Sequence, residues 1–485
     1  MATVTSTTTG PQQRARWLLA VLLGAMFLGN VDTAVTNTAT PAIQSGLGAS
    51  GAELQLIVSG YVLAYAMLLV TSARLGQAHG YRSMFLLGLS LFTVTSAVCG
   101  LAPTALVLVL ARVVQGAAAA LMVAQVLSGI QLQYSGRERA RALGWYAAVL
   151  AGSAVFGQVL GGLVITADLF GVTWRPIFLI NVPLGAALVV AALRVLPDDE
   201  HGEAQSLDAW GVISLSAALL LFVVPLILGP GSSWPGWTWA ALAGAVLATA
   251  AFLVIERRVV VAGRRPLIDL QLIRRPVIHW ALSTAALSTG VYFAILFVLA
   301  LYLQQGLGHT PAYSGLVLVS WVAAFGVAGP VLGRVSTRLS LFAAPAGALV
   351  LAAGFTGIAA SVHAGSTNTA ALVALLGVGG LGYGAVFSGT LNHLTSAVTD
   401  RYAADISGLF NTAARVGGVM GVAAFGTLYL TLAPTHERQA AVDAFTITTA
   451  ALALCAVATA ITASLAIRHR ASRLCNSGRE SRLHA

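Results

Sequence analysis

The chain has 485 residues, of which 58% are hydrophobic and only 9% charged, where a soluble domain carries roughly 25% charged residues. So few charges cannot cover the surface of a soluble protein of this length, and the pattern points to an all-α membrane protein. The net charge of +10 rests on 26 basic residues, every one an arginine. They stand in short clusters between apolar runs, which argues against nucleic-acid binding.

A spanning helix needs about 20 mainly apolar residues. In chain order that ruler predicts spans near 17–39, 54–73, 83–102, 105–130, 143–166, 176–194, 209–228, 237–256, 277–303, 313–333, 341–361, 371–395, 406–430 and 443–467. Arg14 and Arg16 precede the first run, which continues through Asn30, Val31 and Asp32 to Pro41 without a small-residue cleavage site, so the first helix is expected to be retained. The seventh and eighth spans are separated only by the Pro-, Gly- and Ser-rich turn Gly229 to Gly236. Cys99 and Cys455 lie in apolar runs and Cys475 in the tail, a spacing that supports neither a disulfide framework nor a zinc site.

Arginine placement orients the chain. With a cytoplasmic N-terminus all but four of the 26 arginines fall on the cytoplasmic side, as the positive-inside bias requires. Arg175 and Arg438 fall outside, and Arg112 and Arg415 lie within spans. A span miscounted in the middle would destroy that asymmetry. Both termini are therefore expected to be cytoplasmic, in a multi-pass protein of the cytoplasmic (inner) membrane.

The longest hydrophilic interruptions, 195–208 and 257–276, bracket the seventh and eighth spans. The expected organisation is a six-helix bundle over 1–196, a linker with two helices over 197–276, a second six-helix bundle over 277–467 and a cytoplasmic tail over 468–485. The halves echo one another. A basic turn closes the second helix of each, at Arg74 to Arg82 and Gly333 to Arg338, and the fifth helix of each is rich in glycine, with Gly157, Gly161 and Gly162 in the first and Gly417, Gly418 and Gly421 in the second. Such glycines let backbones approach closely, either in static packing or at a moving interface.

A charge inside the bilayer is expensive and should face a cavity or a partner. Asp32 is the one acidic residue placed well within a span, which makes it the leading candidate for a reversible proton carrier; a structural counter-charge, or sodium coordination, are the alternatives. Arg112 can stabilise the ionised Asp32 or snorkel to an interface, and Gln115, one turn on, can share its network. Arg415 is expected to snorkel or cap. Tyr61, Tyr65, Gln115, Tyr146, Phe156, Tyr292, Trp321, Phe325, Tyr383 and Asn411 are the material of a substrate cavity, and equally of packing. The scattered His79, His279, His309, His363 and His393 make no compact catalytic or metal-binding cluster, so neither an enzyme nor a metal protein is expected. A membrane sensor would need a soluble output domain, and the stretch after residue 467 is short for one.

Several motifs carry a specific resemblance. Val31 to Pro41 reads VDTAVTNTATP, Leu110 to Ala117 reads LARVVQGA, Gly157 to Gly162 reads GQVLGG, Trp174 to Gly185 reads WRPIFLINVPLG and Gly408 to Gly418 reads GLFNTAARVGG. In this order the chain resembles the fourteen-helix drug:proton antiporters of the major facilitator superfamily, over essentially residues 15 to 467. The resemblance implies two six-helix bundles with the seventh and eighth helices beside them, and proton coupling by Asp32 assisted by Arg112. It also implies a conformational interface at Gly157, Gly161, Gly162 and the Gln77–Arg82 loop, and no cofactor beyond the proton gradient. The implied cargo is a small amphipathic or cationic compound such as a drug or antibiotic, with export of one endogenous metabolite as the alternative. The protein is expected to act as a monomer, with membrane lipid, protons and its substrate as partners and no nucleic acid. Two positions depart from the family pattern: Gln77 replaces an aspartate of the loop after the second helix, implying a looser or amide-based latch, and Gln158 replaces a proline of the fifth helix.

Overall fold

A computed structural model of the chain describes residues 11–168, 171–198, 209–229, 234–262, 275–332, 342–365, 368–395, 403–433 and 437–483. Asp199, Glu200, Glu203, Asp208, Arg264, Arg265, Arg274, Gly333, Arg334, Arg338 and Arg401, which belong to the loop patterns above, lie outside the described residues.

Among the described residues, fourteen helices are long and apolar enough to cross a membrane. The first bundle consists of α1 (Pro11–Leu47), α2 (Gly51–His79), α3 (Tyr81–Gly100), α4 (Ala105–Gln133), α5 (Gly136–Ala167) and α6 (Asn181–Val195), the last preceded by the helical turn Pro176–Leu179. Two further helices follow, α7 (Ala209–Leu228) and α8 (Gly236–Val261). The second bundle consists of α9 (Pro276–Leu301), α10 (Pro311–Leu332), α11 (Ala343–His363), α12 (Thr369–Thr395), α13 (Ala403–Gly421) and α14 (Arg438–Leu483). The α9 helix runs on through a π-turn at Tyr302–Gly306, and α13 through one at Val422–Gly426 into the helical turn Thr427–Leu432.

Local chemistry sets the helix ends. Ser50 and Glu53 form a reciprocal capping box that starts α2, and the Thr104 hydroxyl accepts from the Val107 amide to start α4. Gly80, at φ 92°, makes the turn from α2 to α3, a backbone region that side chains disfavour. Many large apolar side chains stay exposed on the outer surface, including Leu106 and Leu110 on α4, Leu247 on α8 and Leu454 on α14. In water that surface would be a liability; against lipid it is the solvated face.

Packing repeats with an offset of eight helices. In the first bundle α4 lies between α2 and α3, α1 pairs with α5, and α3 with α6; in the second α12 lies between α10 and α11, α9 pairs with α13, and α11 with α14. Glycines set the equivalent close approaches. A Cβ at Gly157 of α5 would stand 2.9 Å from the Val31 carbonyl oxygen of α1, and Gly417 and Gly421 of α13 press against the backbones of Ala286 and Gly290 of α9. The α7 helix packs on α8 and on α2 and the Val422–Gly426 turn, so this pair lies beside the seam between the bundles.

Among the described residues the hydrogen bonds between the bundles lie at the end that carries the α1–α2 turn. Gln304 donates to the Thr38 carbonyl at 3.0 Å and Gln305 to the Gln44 side chain at 2.7 Å. Gln55 meets the Thr427 hydroxyl at 3.2 Å, and the Ala312 amide donates to the Thr166 hydroxyl at 3.0 Å. The α5–α10 seam closes at the same end, where Gly162 faces Pro311 and Ala312, and Gly315 faces the backbone of Gln158.

Candidate functional site: a buried carboxylate and a donor-lined aromatic cluster

Asp32 lies on α1 near Leu28, Val31 and Val35, which pack into the core, and it is buried with them. Its Oδ2 pairs with Arg112 Nη1 of α4. Its Oδ1 accepts from Gln115 Nε2 at 3.1 Å and from Asn181 Nδ2 of α6 at 2.9 Å. The carboxylate thus receives donors from two other helices of its own bundle. A carboxylate removed from water needs such compensation, since an uncompensated charge would cost several kcal/mol.

Arg112 is equally well provided for. Nη1 also donates to Gln115 Oε1 at 2.7 Å, Nε donates to the Ile57 carbonyl of α2 at 3.2 Å, and the guanidinium lies 4.2 Å from the Tyr61 ring centroid. Ser96 of α3 accepts from Gln115 Nε2 at 2.8 Å. Gln115 therefore ties Asp32, Arg112 and Ser96 into one buried network and is spent there, although the sequence offered it equally as a cavity residue. The Tyr61 hydroxyl donates to the Gly29 carbonyl at 3.2 Å, which fixes the ring beneath the guanidinium.

The second feature belongs to α9, α10 and α12. Tyr292 and Tyr383 stack with centroids 4.7 Å apart, and Phe325 lies 5.6 Å from Tyr292 and 5.0 Å from Tyr383. Trp321 stands 6.1 Å from Tyr292. The Thr289 and Tyr383 hydroxyls are bonded at 3.3 Å. From the first bundle, Tyr65 stacks on Tyr61 at 6.5 Å, and Arg415 of α13 reaches across to lie 4.7 Å from the Tyr65 centroid. Arg415 is thus turned toward the opposite bundle, not toward a helix end: position along a helix says nothing about the direction in which a side chain faces.

The remaining sequence candidates are dispersed. Phe156 is half exposed and packs on Phe27, and Asn411 is exposed one turn before Arg415 on α13. Tyr146 lies within reach of the Arg415 charge. Gly157 and Gly161 meet α1 inside their own bundle, whereas Gly162 meets α10 across the seam. Gln77 is exposed. Arg82 pairs with Asp198 just after α6 and donates to the Leu193 carbonyl at 3.2 Å. Gln158 Oε1 accepts from the Thr38 hydroxyl at 2.6 Å, tying α5 to α1. Sequence reasoning did not single out Asn181 or Ser96. The only signal for them was an amide and a hydroxyl within apolar runs, and hydroxyls of that kind are common in membrane helices. Among the described residues no group of three or more His, Cys, Asp or Glu side chains is placed to hold a metal ion.

Two duplicated six-helix bundles closed against each other at one end, with a charge pair buried in one of them, define a polytopic membrane carrier of the alternating-access type. The model of the Major Facilitator Superfamily matches residues 22–422, and the chain belongs to that family. It is 34% identical over 446 residues to the probable actinorhodin transporter of Streptomyces coelicolor, covering 90% of this chain and 76% of that one. It is 35% identical over 422 residues to the tetracenomycin C resistance and export protein of Streptomyces glaucescens, covering 85% and 75%. Among solved structures, a bacterial homologue of the human lysosomal transporter Spinster, inward-facing and unoccupied, superposes with a TM-score of 0.68 at 16% identity over 95% of this chain and 98% of that one.

Proposed function

We propose that the protein is a proton-driven antiporter that exports small amphipathic organic compounds, with Asp32 as the group that carries the proton. The observation that carries this reading is the buried Asp32–Arg112 pair. Among the described residues every partner of Asp32 is a donor, so adding a proton weakens its hold on Arg112, Gln115 and Asn181. Protonation and helix rearrangement are thereby linked. The electrical part of the driving force is worth about 2.3 kcal/mol per charge per 100 mV. The family and the export relatives above support the direction of transport.

The arginine distribution supports placing both termini in the cytoplasm. The end closed by Gln304, Gln305 and Gln55 is then external, and the arrangement is an inward-open one. The repeated packing supports a division into bundles over 1–196 and 277–467, with 197–276 as an inserted linker and helix pair. The chain acts as a monomer on this reading, because one apolar core runs through both bundles of a single chain. Relatives named for a single antibiotic, actinorhodin and tetracenomycin C, favour a second reading in which one compound is the natural cargo.

The test is substrate-induced proton movement. Inside-out vesicles holding the native chain and an acid-interior gradient should lose that gradient when a transported compound is added, and vesicles with Asp32→Asn should not. An equal response from both would remove Asp32 from the coupling.

A further inference from the structure

The geometry points to Arg415 as the anchor of an anion-accepting subsite between the bundles, so that the exported compounds are flat aromatic molecules bearing an acidic group, not cations. This rests on the export reading and narrows its substrate class.

Arg112 shows how this protein treats a guanidinium it has paired: a carboxylate, a side-chain amide and a backbone carbonyl all accept from it. Arg415 has none of these. Among the described residues it makes no hydrogen bond and no ion pair, and its guanidinium lies 4.7 Å from the centroid of the Tyr65 ring. A guanidinium carries five N–H donors in a planar fork suited to carboxylates and other oxyanions. Holding it within a membrane protein without a counter-charge is costly, and an arriving anion removes that cost.

The surroundings repeat the same bias. The charge of Arg415 reaches the phenols of Tyr65, Tyr146, Tyr292 and Tyr383. Of these only Tyr383 has a hydrogen-bond partner among the described residues, the Thr289 hydroxyl. The buried indole Nε1 of Trp321, beside Tyr292, has no partner either. A guanidinium and several unspent O–H donors, with no carboxylate among them, suit a ligand that brings acceptors. The stacked rings of Tyr292 and Tyr383 supply faces for a planar body. The one buried carboxylate nearby, Asp32, is already neutralised by Arg112, so a cationic ligand finds no free counter-ion there.

The Tyr61–Tyr65 stack joins the two halves of this account, with Arg112 on one ring and Arg415 on the other. The anion subsite and the proton-carrying pair are therefore neighbours through two side chains of α2.

Binding and transport are measured separately. Equilibrium dialysis of the full chain in neutral detergent should give tighter binding of 1-naphthoate than of 1-naphthylmethylammonium, which has the same ring and the opposite charge, by about tenfold or more. Arg415→Gln should erase that preference and Arg415→Lys retain part of it. Tyr292→Leu should weaken both probes while leaving their ratio unchanged. Equal binding of the two probes, preference for the ammonium, no binding of either, a preference that survives Arg415→Gln, or displacement of naphthoate by phosphatidylglycerol in the micelle would overturn the proposal. If Arg415→Gln does not fold, the native ratio and the Arg415→Lys ratio decide. Selective naphthoate binding without proton-driven movement of naphthoate in proteoliposomes would instead sink the export reading and leave the subsite standing. Proton-driven movement of the ammonium alone would do the reverse.

Discussion

Asp32 accepts from Arg112, Gln115 and Asn181, and Arg112 donates to Asp32, Gln115 and Ile57, so removing either member of the pair leaves the other charged and buried. Breaking such a pair costs about 3–5 kcal/mol. Arg112→Gln alone should therefore lower the thermal unfolding temperature strongly, and Asp32→Asn combined with Arg112→Gln should recover much of the loss; a fluorescence melting series of the single and double variants reads this coupling. By contrast the Arg82–Asp198 pair, with Asp198 92% exposed, sits in water. There ion pairs contribute about 0–1 kcal/mol, so Asp198→Asn should leave the melting curve nearly unmoved. Asp32, Arg112 and Gln115 were legible in the sequence because a charge or amide in an apolar run must find a partner. Arg415 was legible only as an oddity. Its depth on α13 suggested snorkelling, while its direction across the seam depends on which face of α13 packs against α9, and that is set by Gly417 and Gly421.

The helices themselves were read almost completely from hydropathy, because lipid imposes a length on each element and permits few charges inside it. The predicted spans and the described helices differ mainly at their ends, where α1, α2, α4 and α14 extend past the apolar stretch. Pairing between helices was less legible. Glycine density marked α5 and α13 as close-packing elements but did not separate their two faces. On α5, Gly157 and Gly161 serve α1, and Gly162 serves α10. The distinction has a measurable consequence. Gly157→Leu forces a side chain against the Val31 carbonyl and should destabilise the folded bundle by about 1–3 kcal/mol. Gly162→Leu forces one against Pro311 and Ala312 at the seam, where a rocking motion can relieve it. It should therefore shift the balance toward opening at that end more than it lowers stability, read as increased labelling of a cysteine placed at Gln304.

At the scale of the molecule, the repeat of packing with an offset of eight helices makes each bundle a unit that can move on the other, with α7 and α8 riding at the seam. Closure at the α1–α2 turn end depends on a few polar contacts, of which Gln55 to Thr427 is one. In a chain freed of its native cysteines, Gln55→Cys with Thr427→Cys should cross-link on oxidation, stop transport, and regain it on reduction. The central claim, that Asp32 couples proton movement to substrate movement, is tested most directly by comparing two modes in proteoliposomes holding Asp32→Asn. Exchange of labelled for unlabelled substrate at equal pH requires binding and alternating access but no proton, whereas uphill accumulation against an imposed proton gradient requires all three. The account predicts that the variant keeps exchange and loses accumulation. Accumulation retained at the native level would contradict it.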